Sequence, residues 1–565
     1  MEWVMINYGV LMAGGVLVPR GKDTNEKEMA FILNHSESRF LFVETNAIYK
    51  KIQNIKSDLD AKLSLIFIPM DEEESPDESM ELLNDLLQEG ARLREEGDRR
   101  IEKRIERLTQ DDLFTLIYTS GTTGQPKGAQ LTHLNMISQI ELLPIPITEQ
   151  ERALSILPIW HVYERVFMDA AISRGACTYF TSVRTLADDI ESIQPTFMAS
   201  APRLWEMLYQ RMQKKIAEAH PVRRFFFRAA YLSSKLVRRS WDVLGRKDLA
   251  LRKRSLLLQP GRMVWHLVQL MMWSPVYIAL NAGVLEKLRI ALGGSFRGTV
   301  SGGGALPAHV DAFFNNIGVP VLEGYGLTET APVIAVRLFK NRVVGTVGPL
   351  WPHTDLRIED PDTRDLLYPD PSCKNGGRGR VGEIVVRGPQ VMRGYYKNEE
   401  ETDKVLKEGW FRTGDLGQMT FNDCLRIEGR IKDTLVLSNG ENVQPEPIEQ
   451  AISQSAHIDQ VMLVGHGERY LAVLVTPNLE SLKDDGYEFK DLEKAAKSEE
   501  LRIFLLKECR SIISDENGFK PFERIQALGC LPQTLETGEE MTETLKIKRH
   551  VVEKKYADLI AGLFE

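Results

Sequence analysis

Short apolar runs alternate with helical stretches in the first part of the chain. A helix is predicted over residues 5–11, after which Gly14-Gly15 turns the chain into a strand over residues 16–18. Helical spacing returns over residues 28–33, ahead of a second apolar strand at residues 40–43. Strands that alternate with helices in this way are typical of the βα repeat of a parallel sheet. The pattern therefore predicts an α/β protein.

The pattern changes after Lys432, where strands become shorter and mix with helices. The elements predicted there are strands at residues 434–437, 460–465 and 470–476, a turn at Ser438-Asn439-Gly440, and a helix at residues 446–453 behind Pro445. Such a mixture is typical of a small α+β domain.

Two helical segments have a clear local signal. Residues 71–107 are densely charged, with leucines at helical spacing, which predicts a solvated helical excursion packed by one leucine stripe. Thr132 stands where its side chain would cap a helix over residues 133–143. Neither segment carries chemistry of its own.

Residues 203–262 have a charge opposite to that of the whole chain, with sixteen Lys or Arg against four acidic residues. Drawn as a helix, the stretch around residues 224–241 divides into two sides. The apolar side holds Phe225, Phe226, Ala229, Ala230, Leu232, Leu236, Val237 and Trp241, and the basic side holds Arg224, Arg228, Lys235, Arg238 and Arg239.

A basic amphipathic helix is typical of contact with an anionic membrane surface, and the alternative is a solvated helix packed on the large domain. The apolar run at residues 263–280 follows it. That run is interrupted by His266, Gln269, Ser274 and Pro275, which argues against an ordinary spanning helix.

Composition restricts the compartment and the class of partner. The chain has 565 residues, 43% of them hydrophobic, so its size suggests more than one domain. The net charge of -9 argues against a nucleic-acid binder. Five cysteines without CxxC spacing predict free thiols in a reducing compartment, hence a cytoplasmic location. The apolar start at residues 3–18 follows Glu2 without a leading Lys or Arg, which argues against a signal peptide.

The strongest chemical signal is the string YTSGTTGQPKG at residues 118–128. Its glycines allow backbone N–H groups to converge on an anion, its hydroxyls add short donors, and Lys127 supplies a positive charge. Because Lys127 lies between Pro126 and Gly128, the spacing is not that of a Walker A loop. The string predicts a phosphate-binding loop, and its alternative is a flexible surface loop.

Two glycine-rich loops follow predicted strands further along the chain. Gly302, Gly303 and Gly304 come after a strand at residues 299–301, and EGYGLTE at residues 323–329 comes after a strand at residues 319–322. Open α/β sheets bind ligands at the carboxyl ends of their strands. Tyr325 is suited to stacking on a flat ring, and the Glu329 carboxylate is a ligand that Mg²⁺ prefers.

A turn with a tryptophan and a histidine follows the strand predicted to end at Pro158. Its string is LPIWHVYER, at residues 157–165. Its position past a strand end makes His161 a candidate wall of a substrate pocket, whereas a lone histidine is more often a packed core residue.

Three later strings complete the pattern, namely GWFRTGD at residues 409–415, GRIKD at residues 429–433 and TETLKIKR at residues 542–549. Taken in order with the two earlier strings, they closely resemble the core motifs of the adenylate-forming superfamily. That superfamily contains acyl-CoA synthetases, aryl-CoA ligases, luciferases and peptide-synthetase adenylation domains. LPIWHVYER, together with VMRGYY at residues 391–396, makes the chain most similar to the long-chain fatty acyl-CoA synthetase branch.

The resemblance runs from about residue 3 to residue 549 and implies a two-domain fold. Residues 1–431 would form a large N-terminal domain of doubly wound sheets plus a distorted β-barrel, with residues 203–280 as a basic amphipathic insertion. Residues 432–565 would form a small, mobile C-terminal α+β domain. The chain opens at an element that lies well inside this domain in relatives, so a leading segment is expected to be absent.

The resemblance implies ATP, Mg²⁺ and coenzyme A as ligands, and a carboxylate that binds the ribose hydroxyls. The residues implied for ATP or AMP binding are Thr119, Ser120, Gly121, Thr122, Thr123, Gly124, Lys127, Gly302, Gly303, Gly304, Gly324, Tyr325, Gly326, Thr328, Asp415 and Arg430.

Further roles follow from the same resemblance. Catalysis would involve Lys546, Glu329 and Lys127. Thr119 and Glu329 would bind the metal ion. Lys432 would be the hinge of the small domain, Gly440 would leave room for the pantetheine arm, and Trp160 with His161 would line the acyl pocket. Leu545 departs from the glycine that many relatives have before the catalytic lysine.

The activity implied is a ligation in two half-reactions. A long-chain fatty acid attacks the α-phosphorus of ATP and releases pyrophosphate, and the thiol of coenzyme A then takes the acyl group from acyl-AMP. Four alternatives stay open: an acyl carrier protein ligase, a fatty acyl-AMP ligase, an aryl-CoA ligase, and a non-catalytic lipid or nucleotide sensor. A homodimer is a candidate assembly.

Overall fold

The computed structural model of the chain describes residues 1–22, 24–60, 63–68, 80–119, 125–182, 184–255, 257–536, 538–541 and 547–565. The N-terminal elements are α1 (Glu2–Met12), α2 (Glu26–His35), β1 (Phe40–Val43), α3 (Asn46–Asn54), β2 (Ser64–Phe67), β3 (Glu81–Leu82), α4 (Leu83–Glu95) and α5 (Arg100–Ile105). β1, β2 and β3 pair as a parallel sheet, as the βα pattern predicts.

The strand predicted at residues 16–18 is wrong. Only Leu17 pairs, as an isolated bridge to Thr115. Pro19 follows directly and has no N–H to donate, and two glycines precede, so the pairing does not extend along the chain.

The next elements form a hairpin and a capped helix, β4 (Leu113–Thr119), β5 (Lys127–Thr132) and α6 (His133–Glu141). The predicted cap is confirmed. Thr132 Oγ1 accepts a hydrogen bond from the Asn135 N–H at 3.3 Å, and Asn135 Oδ1 accepts one from the Thr132 N–H at 2.8 Å. The two residues therefore satisfy each other's backbone donors at the start of the helix.

The central sheet and the helices between its strands follow. Its elements are β6 (Arg152–Ser155), α7 (Val162–Ser173), β7 (Cys177–Phe180), α8 (Leu186–Ile193), β8 (Phe197–Ser200), α9 (Pro202–Glu218), α10 (Pro221–Leu244), α11 (Gln259–Leu280), α12 (Glu286–Ile290), β9 (Gly298–Ser301), α13 (Ala308–Ile317), β10 (Val321–Gly326) and β11 (Val333–Val336).

The strand order in this sheet is β11-β10-β9-β8-β6-β7, and every pair except β10 with β11 is parallel. All residues of β8 and β9 are buried, as expected for strands covered on both faces. β10 begins two residues later than predicted and runs through Gly326, so the EGYG part of the glycine string belongs to the strand itself.

An antiparallel sheet stands where the resemblance implied a distorted barrel. Its elements are β12 (Asp355–Glu359), β13 (Leu366–Tyr368), β14 (Gly382–Arg387), α14 (Glu399–Val405), β15 (Leu406–Lys407), β16 (Trp410–Met419) and β17 (Leu425–Arg430). The order is β13-β12-β14-β16-β15, and β17 pairs with β16.

The C-terminal part has the α+β character that the sequence predicts. Its elements are β18 (Leu435–Val436), β19 (Asn442–Val443), α15 (Pro445–Ile452), β20 (Ile458–Val464), β21 (Leu471–Pro477), α16 (Leu479–Asp484), α17 (Leu492–Ala496), α18 (Glu499–Ile512), β22 (Ile525–Cys530), α19 (Arg549–Lys555) and α20 (Ala557–Ala561). β20, β21 and β22 form one sheet, with separate apolar clusters on its two faces.

His457 makes the stability of this part depend on pH. Its Nδ1 lies 2.9 Å from Oε2 of Glu508, and its Nε2 lies 2.8 Å from Oδ2 of Asp485. Burial alone would lower the pKa of His457, but the two carboxylates outweigh it and raise the pKa above 6.5. The stabilisation is therefore fully present below about pH 6.5 and is lost as the pH rises through the raised value.

We expect the unfolding midpoint of a His457→Gln protein to depend less on pH between pH 6 and 9 than that of the parent. Thermal melts across this range measure the effect, with His550→Gln, which changes an exposed histidine, as the matched control. A His457→Gln curve parallel to the parent curve would contradict the assignment.

Candidate active site

A β-hairpin places Thr119 opposite Lys127. β4 and β5 pair antiparallel, with Thr119 facing Lys127 and Tyr118 facing Gly128. A Cβ at Gly128 would lie 3.1 Å from the Tyr118 ring, so the glycine permits this close approach. The hairpin thus positions the two ends of the predicted phosphate loop. The loop residues Ser120, Gly121, Thr122, Thr123 and Gly124 lie outside the described residues.

The Lys127 ammonium is held by a carboxylate and an aromatic ring. It forms an ion pair with Glu401 of α14, and both side chains are largely buried, at 14% and 20% exposure. Its Nζ also lies 5.4 Å from the centre of the Tyr395 ring. Hydrogen bonds from Lys127 and Lys404 lower the pKa of Glu401 to about 2, so this carboxylate stays anionic at neutral pH.

Tyr395 links the lysine to Glu329. Its hydroxyl donates to Oε1 of Glu329 at 2.9 Å. Burial raises the pKa of Glu329, against the hydrogen bonds that the carboxylate accepts from its own backbone N–H and from Tyr395. The charge of Asp415 adds to this rise in the pKa of Glu329, and the charge of Lys127 opposes it.

The Glu329 carboxylate is suited to a metal ion that binds together with substrate phosphates. The described residues contain no group of three or more His, Cys, Asp or Glu side chains that could hold a metal ion. Mg²⁺ is commonly bound by one or two carboxylates together with substrate phosphates and water. A buried carboxylate whose pKa is raised, beside the predicted phosphate loop, fits that mode because a cation would offset its desolvation.

A second cluster joins Tyr325, Asp415 and Arg430. The Tyr325 hydroxyl donates to Oδ2 of Asp415 at 2.7 Å, and Nε of Arg430 lies 3.2 Å from Oδ1. Asp415 and Arg430 face each other across β16 and β17. Asp415 is only 5% exposed, and burial together with its charge raises the pKa of Tyr325 far above its usual value. The cluster presents a buried, hydrogen-bonded carboxylate beside an aromatic ring.

The two glycine loops leave the same edge of the central sheet. β9 and β10 are parallel neighbours, with Ser301 facing Glu323, so Gly302, Gly303 and Gly304 lie beside the start of the EGYGLTE string. The Leu306 N–H donates to Oε1 of Glu323 at 3.0 Å and ties the two loops together. A Cβ at Gly326 would lie 1.7 Å from the Pro332 carbonyl oxygen, so no side chain fits there. Gly324 and Thr328 flank this position.

Trp160 and His161 lie in the turn before α7. His161 caps that helix, because its Nδ1 accepts a hydrogen bond from the Tyr163 N–H at 3.3 Å. The Tyr163 ring packs on Gly302, where an added Cβ would lie 3.2 Å from it. The turn therefore adjoins the glycine loop through Tyr163. The acyl-pocket role of Trp160 and His161 stays a prediction.

Lys432 follows β17 by two residues, directly beyond the strand that carries Arg430. Gly440 lies in the exposed turn between β18 and β19, with a φ of +85° and no atom within 4 Å of an added Cβ. Leu545 and Lys546 lie outside the described residues, so their roles also stay predictions. The structure thus links Lys127 to Glu329 through Tyr395, links Tyr325 and Arg430 to Asp415, and places Gly440 in a separate surface turn.

A buried ion network supports the glycine string, and the sequence pattern did not reveal it. Arg337 has no exposed side-chain surface and pairs with Asp311 and Glu323, each at 2.7 Å. Its Nε also donates to the Thr346 carbonyl oxygen. Burial raises the pKa of Glu323 to about 7, against the charge of Arg337. The only sequence signal for this network is a lone arginine in the apolar run at residues 333–339.

Tyr395 and Glu401 were also missed as site residues. Tyr395 belongs to the VMRGYY string, but that string alone does not indicate that its hydroxyl meets Glu329, 66 positions earlier. Glu401 is one of three consecutive glutamates at the start of α14, and its partner Lys127 is 274 positions away. Local patterns carry no information about pairs so far apart in the chain.

Models of known families match most of the chain. The AMP-binding enzyme model matches residues 1–396, and the model of the AMP-binding enzyme C-terminal domain matches residues 432–565. A chloroplastic long-chain-fatty-acid–[acyl-carrier-protein] ligase of Arabidopsis thaliana is 32% identical over 100% of this chain and 78% of that protein. A long-chain-fatty-acid–CoA ligase of Mycobacterium tuberculosis is 30% identical over 100% of this chain and 86% of that protein.

Solved structures show the same fold. The adenylation domain of the carboxylic acid reductase of Segniliparus rugosus, in complex with AMP and a co-purified carboxylic acid, matches with a TM-score of 0.68 and 19% identity. The match covers 100% of this chain and 80% of that chain. It confirms the predicted α/β class, with a large N-terminal part and a small α+β C-terminal part. The exact boundary between residues 431 and 432 stays a prediction.

Proposed function

Because the chain belongs to the AMP-binding enzyme family, in its long-chain acyl-CoA synthetase branch, we propose that it is an AMP-forming long-chain fatty acid–CoA ligase. In this reaction a fatty acid, ATP and coenzyme A give acyl-CoA, AMP and pyrophosphate. The observation that carries the proposal is the link from Lys127 through Tyr395 to Glu329, which places a cation near a carboxylate suited to Mg²⁺. A second cluster, of Tyr325, Asp415 and Arg430, offers a carboxylate for the ribose hydroxyls.

The nucleoside would bind at the cluster of Tyr325, Asp415 and Arg430. A carboxylate has about four lone-pair sites, so Asp415 can accept bonds from two ribose hydroxyls while Arg430 remains close. The Tyr325 ring would stack on the base, and Gly302, Gly303 and Gly304 would let the backbone approach it. The phosphates would then extend toward Thr119 and Lys127.

In the first half-reaction the fatty carboxylate attacks the α-phosphorus and pyrophosphate leaves. The carboxylate needs no base, so the protein contributes positioning and charge stabilisation. Lys127 and Lys546 would stabilise the negative charge that develops on the phosphate oxygens. Glu329 and the Thr119 hydroxyl would hold Mg²⁺, which supplies a further positive charge to those oxygens.

In the second half-reaction the thiol of coenzyme A attacks the acyl-adenylate and releases AMP. We propose that the C-terminal domain rotates about Lys432 between the two steps, which withdraws Lys546 and brings the turn with Gly440 to the thiol path. Domain rotation about a few linker residues belongs to the known repertoire of enzyme motions. The exposed Gly440, with free space where a Cβ would stand, leaves room for the pantetheine arm.

We expect an Asp415→Asn enzyme to have a KM for ATP about 10- to 100-fold higher, because each hydrogen bond to a charged group contributes about 1.5–3 kcal/mol. ATP–pyrophosphate exchange measures the change. Tyr325→Phe is the matched control, since it removes one partner of Asp415 and keeps the ring. If ATP affinity were the same in Asp415→Asn and the parent, the ribose role would be wrong.

A second candidate function is a long-chain fatty acid–acyl carrier protein ligase. It is favoured by the similarity to a protein of Arabidopsis thaliana with that name. Both candidates share acyl-adenylate formation and differ in the acceptor thiol. The test is thioester formation from ATP and fatty acids of graded chain length, with coenzyme A or phosphopantetheinylated carrier protein as acceptor.

The outcomes of that test separate the candidates. Palmitoyl-CoA formed at a rate at least as high as palmitoyl-carrier protein supports the CoA ligase. Turnover with carrier protein alone supports the second candidate, and preference for short aromatic acids contradicts both. Pyrophosphate exchange without thioester formation would show that neither coenzyme A nor carrier protein is the acceptor.

A further inference from the structure

The outermost helix of the basic region is apolar and uncovered. α11 has no charged residue after Arg262, and the uncharged stretch continues through Leu285. Trp265 is 64% exposed and Met271 is 70% exposed, and several neighbouring large apolar side chains are similarly open. The helix from Gln259 to Ile290 is long and apolar enough to cross a membrane by length and composition: its most apolar window of 18 residues has a mean hydropathy of 1.3, and none of that window is buried.

α11 packs along α10, and Tyr277 and Leu280 near its C-terminal end pack against the core cluster that contains Ala230. The hydroxyl of Ser240 on α10 lies 3.2 Å from Nδ1 of His266 and donates to Oε1 of Gln269 at 3.1 Å. On its other side α10 packs on α13, where the Ser234 hydroxyl donates to the Asn316 carbonyl oxygen at 2.5 Å. α10 is therefore the middle layer, and α11 lies outside it with its apolar face open to solvent.

The exposed surface of α10 carries basic and apolar side chains together, although the buried residues lie on the apolar side predicted from the sequence. The buried face consists of small residues, Ala230, Ser233, Ser234, Val237, Ser240 and Val243. Phe225, Leu232 and Trp241 are exposed instead. They share the exposed surface with Arg228, Lys235 and Arg239, which form no ion pair within the described residues.

We propose that α10 and α11 dock the protein on an anionic lipid bilayer. In this arrangement α11 lies in the plane of the interface, with Trp265, Met271 and their neighbours among the acyl chains. Arg228, Lys235 and Arg239 of α10 contact the phosphate groups of the lipids. The two helices together supply the apolar and basic faces that a single interfacial helix usually combines. We call this pair, residues 221–280, the docking hairpin.

The charges of the docking hairpin favour docking on a bilayer surface over two alternatives, a membrane-spanning helix and contact with a second copy of the chain. A spanning arrangement would draw α10, which packs along α11, into hydrocarbon with its arginines and lysines, and charged side chains are costly there. A second copy of the chain would place like charges together, because residues 221–280 contain twelve Lys or Arg and two Asp. Anionic lipid headgroups are complementary to this charge.

The experiment is co-sedimentation of the full chain with two kinds of vesicle, phosphatidylcholine alone and phosphatidylcholine with 30% phosphatidylglycerol. We expect binding to the anionic vesicles that weakens as salt is added. Replacing Trp265, Met271 and Met272 with serine should weaken vesicle binding about 100-fold, since each change removes an apolar side chain that the bilayer would bury. The matched control is Phe40→Ser with Ile503→Ser, which removes apolar side chains of similar exposure, 60% and 57%, elsewhere.

The charge arm uses Arg228→Gln, Lys235→Gln and Arg239→Gln in one protein. Each basic residue near an anionic surface contributes about fivefold in affinity, so the triple variant should bind anionic vesicles about 100-fold less tightly. Lys497→Gln, just after α17, combined with Arg502→Gln on α18 is the control, and it should leave binding unchanged. ATP–pyrophosphate exchange with a soluble medium-chain fatty acid, without vesicles, should be unchanged in all variants and shows that they are folded.

Four results would overturn the proposal. They are the absence of binding to anionic vesicles, equal weakening by the control variants, membrane association that resists alkaline carbonate, and a lipid-free dimer that the Trp265→Ser change dissociates. The third would indicate a spanning helix and the fourth a second copy. None of these results depends on the acceptor or the activity proposed above, so the docking hairpin and the ligase function are tested separately.

Discussion

An Arg337→Ala protein is expected to lose about 3–5 kcal/mol of unfolding free energy, because truncation leaves the buried carboxylates of Asp311 and Glu323 without their partner. Arg337 contributes its guanidinium to both carboxylates and to the Thr346 carbonyl oxygen at once. Urea unfolding measured by tryptophan fluorescence gives the change.

Arg524→Ala is the matched control, since Arg524 pairs with Asp515 on the surface, with both side chains about half exposed, at 48% and 56%. An exposed pair contributes about 0–1 kcal/mol, so this change should barely move the unfolding curve. Equal losses in the two variants would mean that the network under the glycine string is not a stabilising centre.

The same network predicts a functional effect that accompanies the loss of stability. Glu323 accepts a hydrogen bond from the Leu306 N–H and thereby connects the two glycine loops. Asp311→Asn and Glu323→Gln keep the volumes of the side chains and remove one charge each. In those proteins we expect weaker ATP binding from Glu323→Gln than from Asp311→Asn, because only Glu323 touches the loop.

A Lys546→Ala enzyme is expected to form acyl-adenylate about 10²–10³-fold more slowly, the usual cost of removing one preorganised group that stabilises transition-state charge. Thioester formation from supplied acyl-AMP should keep its rate, because the proposed domain rotation withdraws this lysine before the second step. Single-turnover assays of each half-reaction measure the two rates separately.

Lys548→Ala is the control for this change. Lys548 lies two positions away, and its Nζ donates to the Gly538 carbonyl oxygen at 3.1 Å, so its charge is used within the C-terminal domain. It should leave both half-reactions unchanged. Equal slowing of the two half-reactions in Lys546→Ala would contradict the role assigned to Lys546.

Local patterns in the sequence predicted the elements that position the site. The apolar run of β1 was predicted with its observed bounds, and the cap at Thr132 was predicted with its helix start. Both depend on residues within a few positions of each other, where periodicity and capping are informative. The closeness of the glycine loop after β9 to the glycine string at the end of β10 follows from the same reasoning, because parallel strands end at one edge of the sheet.

The site residues that the sequence patterns did not predict are those held by contacts between distant parts of the chain. The links from Lys127 to Glu401 and from Tyr395 to Glu329 join segments that no local pattern relates. Periodicity divided α10 into an apolar and a basic side, but it does not say how much of the apolar side a neighbouring helix covers. Here small residues allow α10 to pack closely on its neighbours, and the large aromatic side chains remain outside.

Under the proposed function, the ion pair between Lys127 and Glu401 makes nucleotide binding an exchange of one oxyanion for another. The Glu401 carboxylate lies beside the Lys127 ammonium, where a phosphate oxygen would bind. The charge of Lys127 would therefore be balanced by the Glu401 carboxylate before the nucleotide binds and by a phosphate oxygen afterwards. Binding would change the local charge balance little. Selectivity for a triphosphate over smaller anions would then depend on how many phosphate oxygens replace the single carboxylate. A small inorganic anion would gain little binding free energy from displacing Glu401.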